Sequence, residues 1–536
     1  MATAPRRVPL LAAVLLLAAP ADAAGPSPGL FATSDQCSAC HNGLVTRSGV
    51  DVSIAIDWRA GVMANSSRDP YWQAAVSREV ADHPEVRPEI EDICSTCHMP
   101  MSRFTAHARG AKGQIFAHLP FGGGAQEPDP LAEDGVSCTL CHQIENKAFG
   151  QKESYNGGFA IDVARPPGQR PEYGPFEVRP GLARIMESAT QFVPAESSHV
   201  RQSELCATCH TLYTESYRGR EVIARFPEQV PYLEWQHSAY REKASCQSCH
   251  MPVPDSPAPI ASVLGFERAD FAQHTFFGGN FLLLAILNRY RDELAVEALP
   301  QELDRMRRGT LEFLQGRTAA VHLTSRGRAK GSVEIDVAVE NLTGHKLPTA
   351  YPSRRVWIHF TATDARGRVL FESGRLLDDG SIAGNDNDAD ARAYEPHYRR
   401  IEQPDQVQIY EPILASVEGA VTTGLLTATH YAKDNRLLPH GFDKRTAGAD
   451  FAVVGSARDD PDFTGGGDHV IYVVQSGDAP RPLRVEVELW YQPIGFRWAV
   501  NHVDYPQPES RRFVSYYRSL ASASAVRLAN AKLEVP

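Results

Sequence analysis

The 536-residue sequence has no extended run of lysine or arginine, and its formal net charge is −11. Binding of nucleic acid requires a basic surface that pairs with phosphates, so the composition predicts no nucleic-acid partner. Beyond the N-terminus the sequence also lacks an apolar stretch of about 20 residues, the length that crosses a bilayer. The apolar segment 281–287 is soon followed by Arg289 and Arg291, which favours a buried helix. The sequence therefore predicts no transmembrane span.

The N-terminus has the three parts of an export signal. Arg6 and Arg7 give it a positive start, residues 8–19 form an apolar run, and Ala21-Asp22-Ala23 offers small residues for cleavage. A membrane anchor is the alternative, but the run is too short for one. We predict a signal peptide over residues 1–23 and a mature protein that is periplasmic or extracellular.

No cysteine lies outside a single repeated pentapeptide. All ten cysteines occur in the pattern C-x-x-C-H, which attaches c-type haem covalently. Two thiols bond the vinyl groups at one porphyrin edge, and the adjacent histidine binds the iron as its proximal ligand. The sequence thus predicts five haem c groups, held by Cys37, Cys40 and His41; Cys94, Cys97 and His98; Cys138, Cys141 and His142; Cys206, Cys209 and His210; and Cys246, Cys249 and His250.

Three other uses of paired cysteines fit this pattern less well. Cysteines of exported proteins commonly form disulfides, but disulfides do not explain a histidine after every second cysteine. Zinc sites combine two C-x-x-C pairs into one closed set of four ligands, and a thioredoxin-like redox site uses a single pair. Five motifs, each with its own histidine, indicate covalent haem instead.

The pattern of the chain changes beyond the last motif, and we predict an α+β fold. The motifs are closely spaced and the loops are rich in proline and glycine, which predicts a loop-rich, mainly helical five-haem domain over residues 24–280. Within it, Asp69-Pro70 predicts the start of a helix, with an acceptor at the cap and proline in the first turn. Residues 281–317 have a helical pattern broken at Pro300 and are interpreted as a connector. Apolar and polar residues alternate over 333–339, the period of a half-buried strand. With similar segments further on, residues 318–536 predict a β-rich, sandwich-like domain.

The ligand on the second axial side of each iron decides between electron transfer and substrate chemistry. Outside the motifs the sequence offers several histidines and one methionine as distal ligands. Met63 has the alternative interpretation of a core methionine, and His345, in a turn after a predicted strand, has that of a residue that hydrogen-bonds its loop. The candidates are His83, His107, His118, His199, His237, His274, Met63 and His345.

Several segments resemble known multihaem cytochromes. The Cys-His-Met-Pro sequences at 97–100 and 249–252 and the segment 274–280 are similar to those of the hydroxylamine-oxidoreductase and cytochrome c-554 lineage. Segments 344–349 and 351–357 are similar to a C-terminal domain of some exported multihaem cytochromes. The resemblance implies closely packed haems, several with two histidine ligands, that pass electrons between partners. Pentahaem nitrite reductases replace one motif histidine by lysine, and this sequence does not.

These patterns predict an exported five-haem cytochrome that transfers electrons between redox partner proteins. Two alternatives stay open. One is an oxidoreductase that acts on a small nitrogen or sulfur compound at a five-coordinate haem. The other is a cytochrome that the β-rich domain attaches to a membrane complex or cell surface.

Overall fold

The computed structural model of the chain describes residues 29–329 and 331–536. The predicted signal peptide at residues 1–23 lies outside the described residues. Within the described ranges, no helix combines the length and the apolar character needed to cross a bilayer. The mixture of helices and strands is the α+β fold that the sequence predicts.

The part of the chain that carries the five motifs consists of short helices joined by loops. The Asp69 carboxylate accepts the backbone N–H groups of Tyr71 and Trp72 at 2.8 and 3.3 Å, and Pro70 follows it. This N-cap starts α3 where the sequence predicts a helix. The helices are α1 (Ser34–Ser38), α2 (Ile54–Arg59), α3 (Pro70–Asp82), α4 (Arg87–His98), α5 (Pro100–Ala108), α6 (Pro130–Glu133), α7 (Cys138–Cys141), α8 (Pro180–Thr190), α9 (Ser203–Ala207), α10 (Pro231–Gln236) and α11 (Cys246–His250).

Short strands and 3₁₀ turns complete this part. β1 and β2 pair in parallel, while β3 with β4 and β5 with β6 pair antiparallel. The strands are β1 (Pro171–Gly174), β2 (Val193–Glu196), β3 (Leu212–Arg218), β4 (Glu221–Gln229), β5 (Ala258–Pro259) and β6 (Glu267–Arg268). The 3₁₀ turns of the described chain are Pro84–Val86, Phe116–His118, Lys152–Ser154, Ser198–Arg201, Ala449–Phe451, Ser456–Asp459 and Ala521–Ala523.

Two helices follow, α12 (Phe281–Arg289) and α13 (Pro300–Arg317), with the break at Pro300 that the sequence predicts. The strand-rich part then comprises β7 (Ala319–Ala329), β8 (Ser332–Asn341), β9 (Arg355–Thr363), β10 (Val369–Ser373), β11 (Arg400–Ile401), β12 (Ile409–Tyr410), β13 (Pro412–Ala415), β14 (Val421–Thr422), β15 (His430–Asp434), β16 (Gly467–Gln475), β17 (Leu483–Gln492) and β18 (Val526–Val535). Its helices are α14 (Asp386–Ala389), α15 (Phe496–Val500) and α16 (Pro508–Leu520).

Two larger sheets and one small sheet form the strand-rich part of the described chain. The first larger sheet has the order β10-β9-β17-β18 with β12 also on β9, the second has the order β11-β16-β8-β7, and the small sheet has the order β14-β13-β15. Residues of β8 alternate between buried and half-buried, as the sequence pattern predicts. The buried valines of β8 share one hydrophobic core with Ile358 and Phe360 of β9, so the sheets pack face to face in the manner of a sandwich.

The strand-rich part is packed directly on the motif-bearing part. Tyr71 and Ala74 of α3 belong to the same hydrophobic core as the two sheets. The ring of Tyr71 lies 4.9 Å from that of Phe513 in α16, and Arg78 donates to the Thr423 hydroxyl at 2.7 Å. The strand-rich part therefore contacts the motif-bearing part along α3.

Candidate haem-binding site

Four of the five motifs open into one cavity of about 870 Å³. α1, α7, α9 and α11 bring their cysteines and the following histidines to its wall. The lining is otherwise mostly apolar and aromatic, as in sites that bind flat organic cofactors. The fifth motif lies at the end of α4, and its cysteines and histidine do not line this cavity.

Four motif histidines have the same hydrogen bond on the ring nitrogen that faces away from the predicted iron. In each case Nδ1 lies at 2.5–2.8 Å from a backbone carbonyl, which can only accept a proton. Nδ1 therefore carries the hydrogen and Nε2 keeps its lone pair for a metal, the arrangement typical of ligating histidines. The pairs are His41 with Ile260, His98 with Ser66, His142 with Tyr173 and His250 with Phe277.

Burial favours the neutral, metal-binding form of four motif imidazoles, those of His41, His98, His210 and His250. Burial lowers the pKa of His98 and of His210 to about 4. It also lowers the pKa of His41 and His250. A neutral ring with a free Nε2 lone pair is the state that a metal ligand requires, so the proximal positions are suited to iron before it is bound.

Helix α8 has an apolar stripe that lines the cavity and is not covered by other side chains. Leu182, Ile185, Met186 and Ala189 recur at helical spacing and all line the cavity. No residue of α8 is buried, although such a stripe normally covers a core. A porphyrin in the cavity would cover this stripe, so the residues present fit the predicted cofactor.

His274 faces His142 across the cavity. Their ring centres are 6.3 Å apart and the ring planes differ by 18°. A ligating nitrogen lies about 2 Å from a first-row metal and the ring centre about 1 Å beyond it, so two rings across one metal have centres about 6 Å apart. His274 donates Nδ1–H to the Ala272 carbonyl at 3.1 Å, which leaves its Nε2 free.

His345 faces His250 in the same way. The ring centres are again 6.3 Å apart, with a 12° angle between the planes. Nδ1 of His345 lies 2.9 Å from the Lys346 carbonyl, so Nε2 is free here too. Burial lowers the pKa of His274 to about 3 and that of His345 to about 4. Each pair has the separation and protonation of two ligands on one metal.

His118 has the ligand-type hydrogen bond, but among the described residues no histidine ring faces it. Its Nδ1 lies 2.6 Å from the Glu127 carbonyl. The neighbouring side chains Phe116 and Leu119 belong to the hydrophobic cluster that includes Cys94. His118 therefore lies near the fifth motif.

The other predicted distal ligands have different surroundings. Nε2 of each remaining histidine lies near a protein oxygen, and Met63 lines the cavity. The oxygens are Thr427 Oγ1 for His83 (3.3 Å), Asp92 Oδ1 for His107 (2.6 Å), the Ile144 carbonyl for His199 (2.7 Å) and the Asp443 carbonyl for His237 (3.0 Å). Among the described residues, none of these four rings contacts a motif histidine.

Thiols of different motifs touch one another. Cys37 contacts Cys138, Cys97 contacts Cys209, and Cys206 contacts Cys246. Through these contacts the Cys94–Cys97 motif, which lies outside the cavity lining, also adjoins the others. All five predicted attachment sites are therefore close neighbours.

Sequence reasoning found the histidines but not what orients them. The carbonyls of Ile260 and Phe277 lie far along the chain from the motifs that they serve. Arg354 is also distant in sequence from the motifs, and it lines the cavity. Burial has the largest effect in lowering the pKa of His210, and the nearby His250 and Arg354 lower it further. No local pattern marks these groups, because only the tertiary fold brings them to the site.

Comparison with family models and with curated proteins finds no match. Among solved structures, the chain is similar to a penta-heme cytochrome c552 from Thermochromatium tepidum. The alignment has 18% sequence identity and a TM-score of 0.54, and it covers 95% of this chain and all of that chain. The two proteins thus share a fold over both the motif-bearing and the strand-rich parts.

Proposed function

We propose that this chain is an exported c-type cytochrome that binds five haems covalently and transfers electrons between redox partner proteins. The five C-x-x-C-H motifs, the neutral motif histidines and the uncovered stripe of α8 support the cofactor. The similarity to a penta-heme cytochrome c552 supports the number of haems.

The observation that carries the electron-transfer role is the pair of facing histidine couples. His142 with His274 and His250 with His345 have the separation of two ligands on one iron. An iron with two histidine ligands has no open position for a substrate and acts as an electron carrier. We therefore assign His274 and His345 as distal ligands and infer His118 for the fifth motif outside the cavity.

Haem, when bound, would supply an iron that accepts and releases one electron. The chain's own residues fix the orientation of the ligands. The carbonyls of Ile260, Ser66, Tyr173 and Phe277 hold four proximal rings in one tautomer. Burial lowers the pKa of His41, His98 and His250 and so favours their neutral form. The contacts between cysteines of different motifs provide the short separation that electron transfer needs.

The proposal also covers the rest of the chain. Residues 1–23 direct export, residues 24–280 carry the haems, residues 281–317 connect, and residues 318–536 supply His345 as well as a docking surface. The β-rich domain would attach the protein to a membrane complex or cell surface by binding a partner there.

The test is a haem count combined with ligand variants. Protein from a host that matures c-type cytochromes should carry five haems per chain, measured by haem absorbance against polypeptide mass. Cys138→Ala with Cys141→Ala should carry four, and the matched control Ser137→Ala should carry five. A colourless protein of unmodified mass would overturn the proposal.

One observation favours a second candidate function, reduction or oxidation of a small oxyanion of nitrogen or sulfur. Arg354 lines the cavity near His210 and donates only to the Thr349 carbonyl (2.9 Å) and Asn280 Oδ1 (3.4 Å), with no ion pair among the described residues. No histidine ring faces His210 in that part of the chain. A high-spin signal that shifts on addition of nitrite would support this function, provided that the shift is absent in Arg354→Leu.

A further inference from the structure

Four charged side chains form a continuous network beneath the loop that carries His345. Lys346 Nζ lies 2.6 Å from Asp434 Oδ2, and Arg436 Nη2 lies 2.7 Å from the same oxygen. Arg436 Nη1 lies 3.0 Å from Glu234 Oε1, outside hydrogen-bond geometry, so this contact is electrostatic. None of the four side chains is more than 4% exposed. We call Glu234, Lys346, Asp434 and Arg436 the Glu234 network.

The network connects the two parts of the molecule at one point. Glu234 belongs to α10, between the Cys206–Cys209 and Cys246–Cys249 motifs, whereas its partners belong to the strand-rich part. Its Oε2 atom accepts the backbone N–H of Lys346 at 3.1 Å and the hydroxyl of Thr349 at 2.5 Å. One carboxylate oxygen thus holds both ends of the segment that follows His345.

Other contacts hold the remaining sides of this loop. Leu347 and Leu437 exchange two backbone hydrogen bonds of 2.9 Å, and the Tyr240 hydroxyl donates to the Leu342 carbonyl at 2.8 Å. Gly344 lies so close to Tyr240 and Trp235 that an added Cβ would meet both at 3.3–3.4 Å. The loop therefore has one position relative to α10 and to the Cys246–Cys249 motif.

A buried ion network contributes little net stability, because desolvation of the charges offsets most of their attraction. Such networks can instead define one registry between packed elements. Here the charges are balanced, with two carboxylates and two cations, and Glu234 is the only member on the motif-bearing side. Loss of its charge would leave Arg436 without its second carboxylate and free the backbone next to His345.

We propose that Glu234 is a positioning residue for His345, and that it fixes the distal ligand of the Cys246–Cys249 haem from the motif-bearing side. This inference rests on the proposed role of His345 as that ligand. Glu234 touches neither the ligand ring nor the predicted iron. It acts through Lys346 and Thr349, so it determines how fully the axial position is occupied.

The test compares three variants of the haem-loaded full chain by electron paramagnetic resonance and by absorbance in the high-spin region. His345→Ala should convert one haem fully to high spin. Glu234→Gln keeps the size of the side chain, but its amide cannot satisfy both the Lys346 N–H and Arg436, so the same signal should appear in part. Added imidazole should restore low spin in both variants, which separates loss of a ligand from unfolding.

The matched control is Asp388→Asn, which breaks the equally buried ion pair of Asp388 with Arg355. It should lower stability without a high-spin signal. A Glu234→Gln spectrum identical to wild type, with His345→Ala high-spin, would overturn the positioning role and leave the proposed function standing. If His345→Ala stays low-spin, the assignment of His345 itself is wrong.

Discussion

Two groups of side chains in this molecule contain histidines that have opposite hydrogen bonds on their rings. In the haem-binding region, His41, His98, His142 and His250 place Nδ1 against backbone carbonyls. In the strand-rich region, His397 lies with Asp460 and Asp468, and the three offer ligand atoms within 4.8 Å of one another. By residue type alone, the second group is the better candidate for a metal site.

The amides around His397 reverse that conclusion. The Gln408 Oε1 atom accepts the Tyr398 N–H at 2.8 Å, and the Asn435 Oδ1 atom accepts the Glu411 N–H at 3.1 Å. Both NH₂ groups are thereby directed at His397 Nδ1, at 2.9 and 3.2 Å. Nδ1 must accept, so Nε2 carries the hydrogen and donates it to Asp460 at 3.1 Å.

The hydrogen-bond partner of Nδ1 therefore decides whether Nε2 of a histidine can bind metal. A carbonyl there leaves Nε2 with its lone pair, and an amide NH₂ leaves it with a hydrogen. The four motif histidines above, and the two histidines that face His142 and His250, keep a free Nε2 lone pair. The His397 cluster is a satisfied hydrogen-bond network that stabilises the strand-rich core.

Alanine at a distal ligand should have the largest effect. His274→Ala and His345→Ala should each turn one haem from low spin to high spin, because the second axial ligand is lost. The matched change His397→Ala should leave all haems low-spin. The measurement is electron paramagnetic resonance of the oxidised proteins. A high-spin signal in His397→Ala would break the comparison.

Loss of a carboxylate from the His397 cluster should lower the free energy of unfolding. Asp460→Asn leaves the buried Nε2–H and nearby cations with a weaker acceptor, at a cost of about 3 kcal/mol in the free energy of unfolding. Denaturant unfolding followed by circular dichroism would measure this loss, and haem absorbance should not change. Unchanged stability would show that the hydrogen bond to Asp460 is absent in solution.

Exchange of donor for acceptor should convert the His397 cluster into a metal site. In the double variant Gln408→Glu with Asn435→Asp, carboxylate oxygens replace both NH₂ groups that face Nδ1, so Nδ1 would carry the hydrogen and Nε2 would be free. We expect the variant to bind one zinc ion that the wild type does not bind, measured by isothermal titration. Equal zinc binding by both proteins would contradict the tautomer assignment.

Buried carboxylates in the two regions should differ in their pH response. Glu411 pairs with Lys433 at 3.2 Å, whereas Glu228 accepts only the Thr214 hydroxyl at 2.5 Å and forms no ion pair among the described residues. Burial raises the pKa of Glu228 to about 7, and Glu79 is the nearby charge. Because the folded-state pKa is above the unfolded one, its stabilising contribution is present below about pH 4 and is lost as pH rises through 7.

Glu228→Gln removes this titration. The wild type should lose up to about 3 kcal/mol relative to the variant between pH 5 and pH 8, measured by denaturant unfolding at each pH. The control Glu221→Gln, at an exposed position on the same strand, should follow the wild type. Parallel pH profiles for the wild type and Glu228→Gln would show that Glu228 is ionised in the fold.

The sequence predicts the elements of this fold better than it predicts the site. The N-cap at Asp69, the break at Pro300 and the alternation in β8 are local patterns, and the structure confirms them. The facing of His345 and His250 joins residues 95 positions apart in sequence. It depends on how the loop that carries His345 packs on α10, and no local sequence pattern encodes that packing.

The same limit explains the other distal candidates. His199 and His237 have similar distances to the motifs that follow them, yet the fold places their Nε2 atoms against carbonyls of Ile144 and Asp443. Histidine content predicts that ligands are available. Only the hydrogen-bond partner of each ring shows which histidines have a free Nε2.

The most direct test is an experimental structure of the haem-loaded protein, in which the distance from His345 Nε2 to the iron held by His250 is measured. We predict about 2 Å, with His274 at the same distance from the iron held by His142. An iron with another ligand opposite His250, and His345 turned away from it, would contradict the assignment.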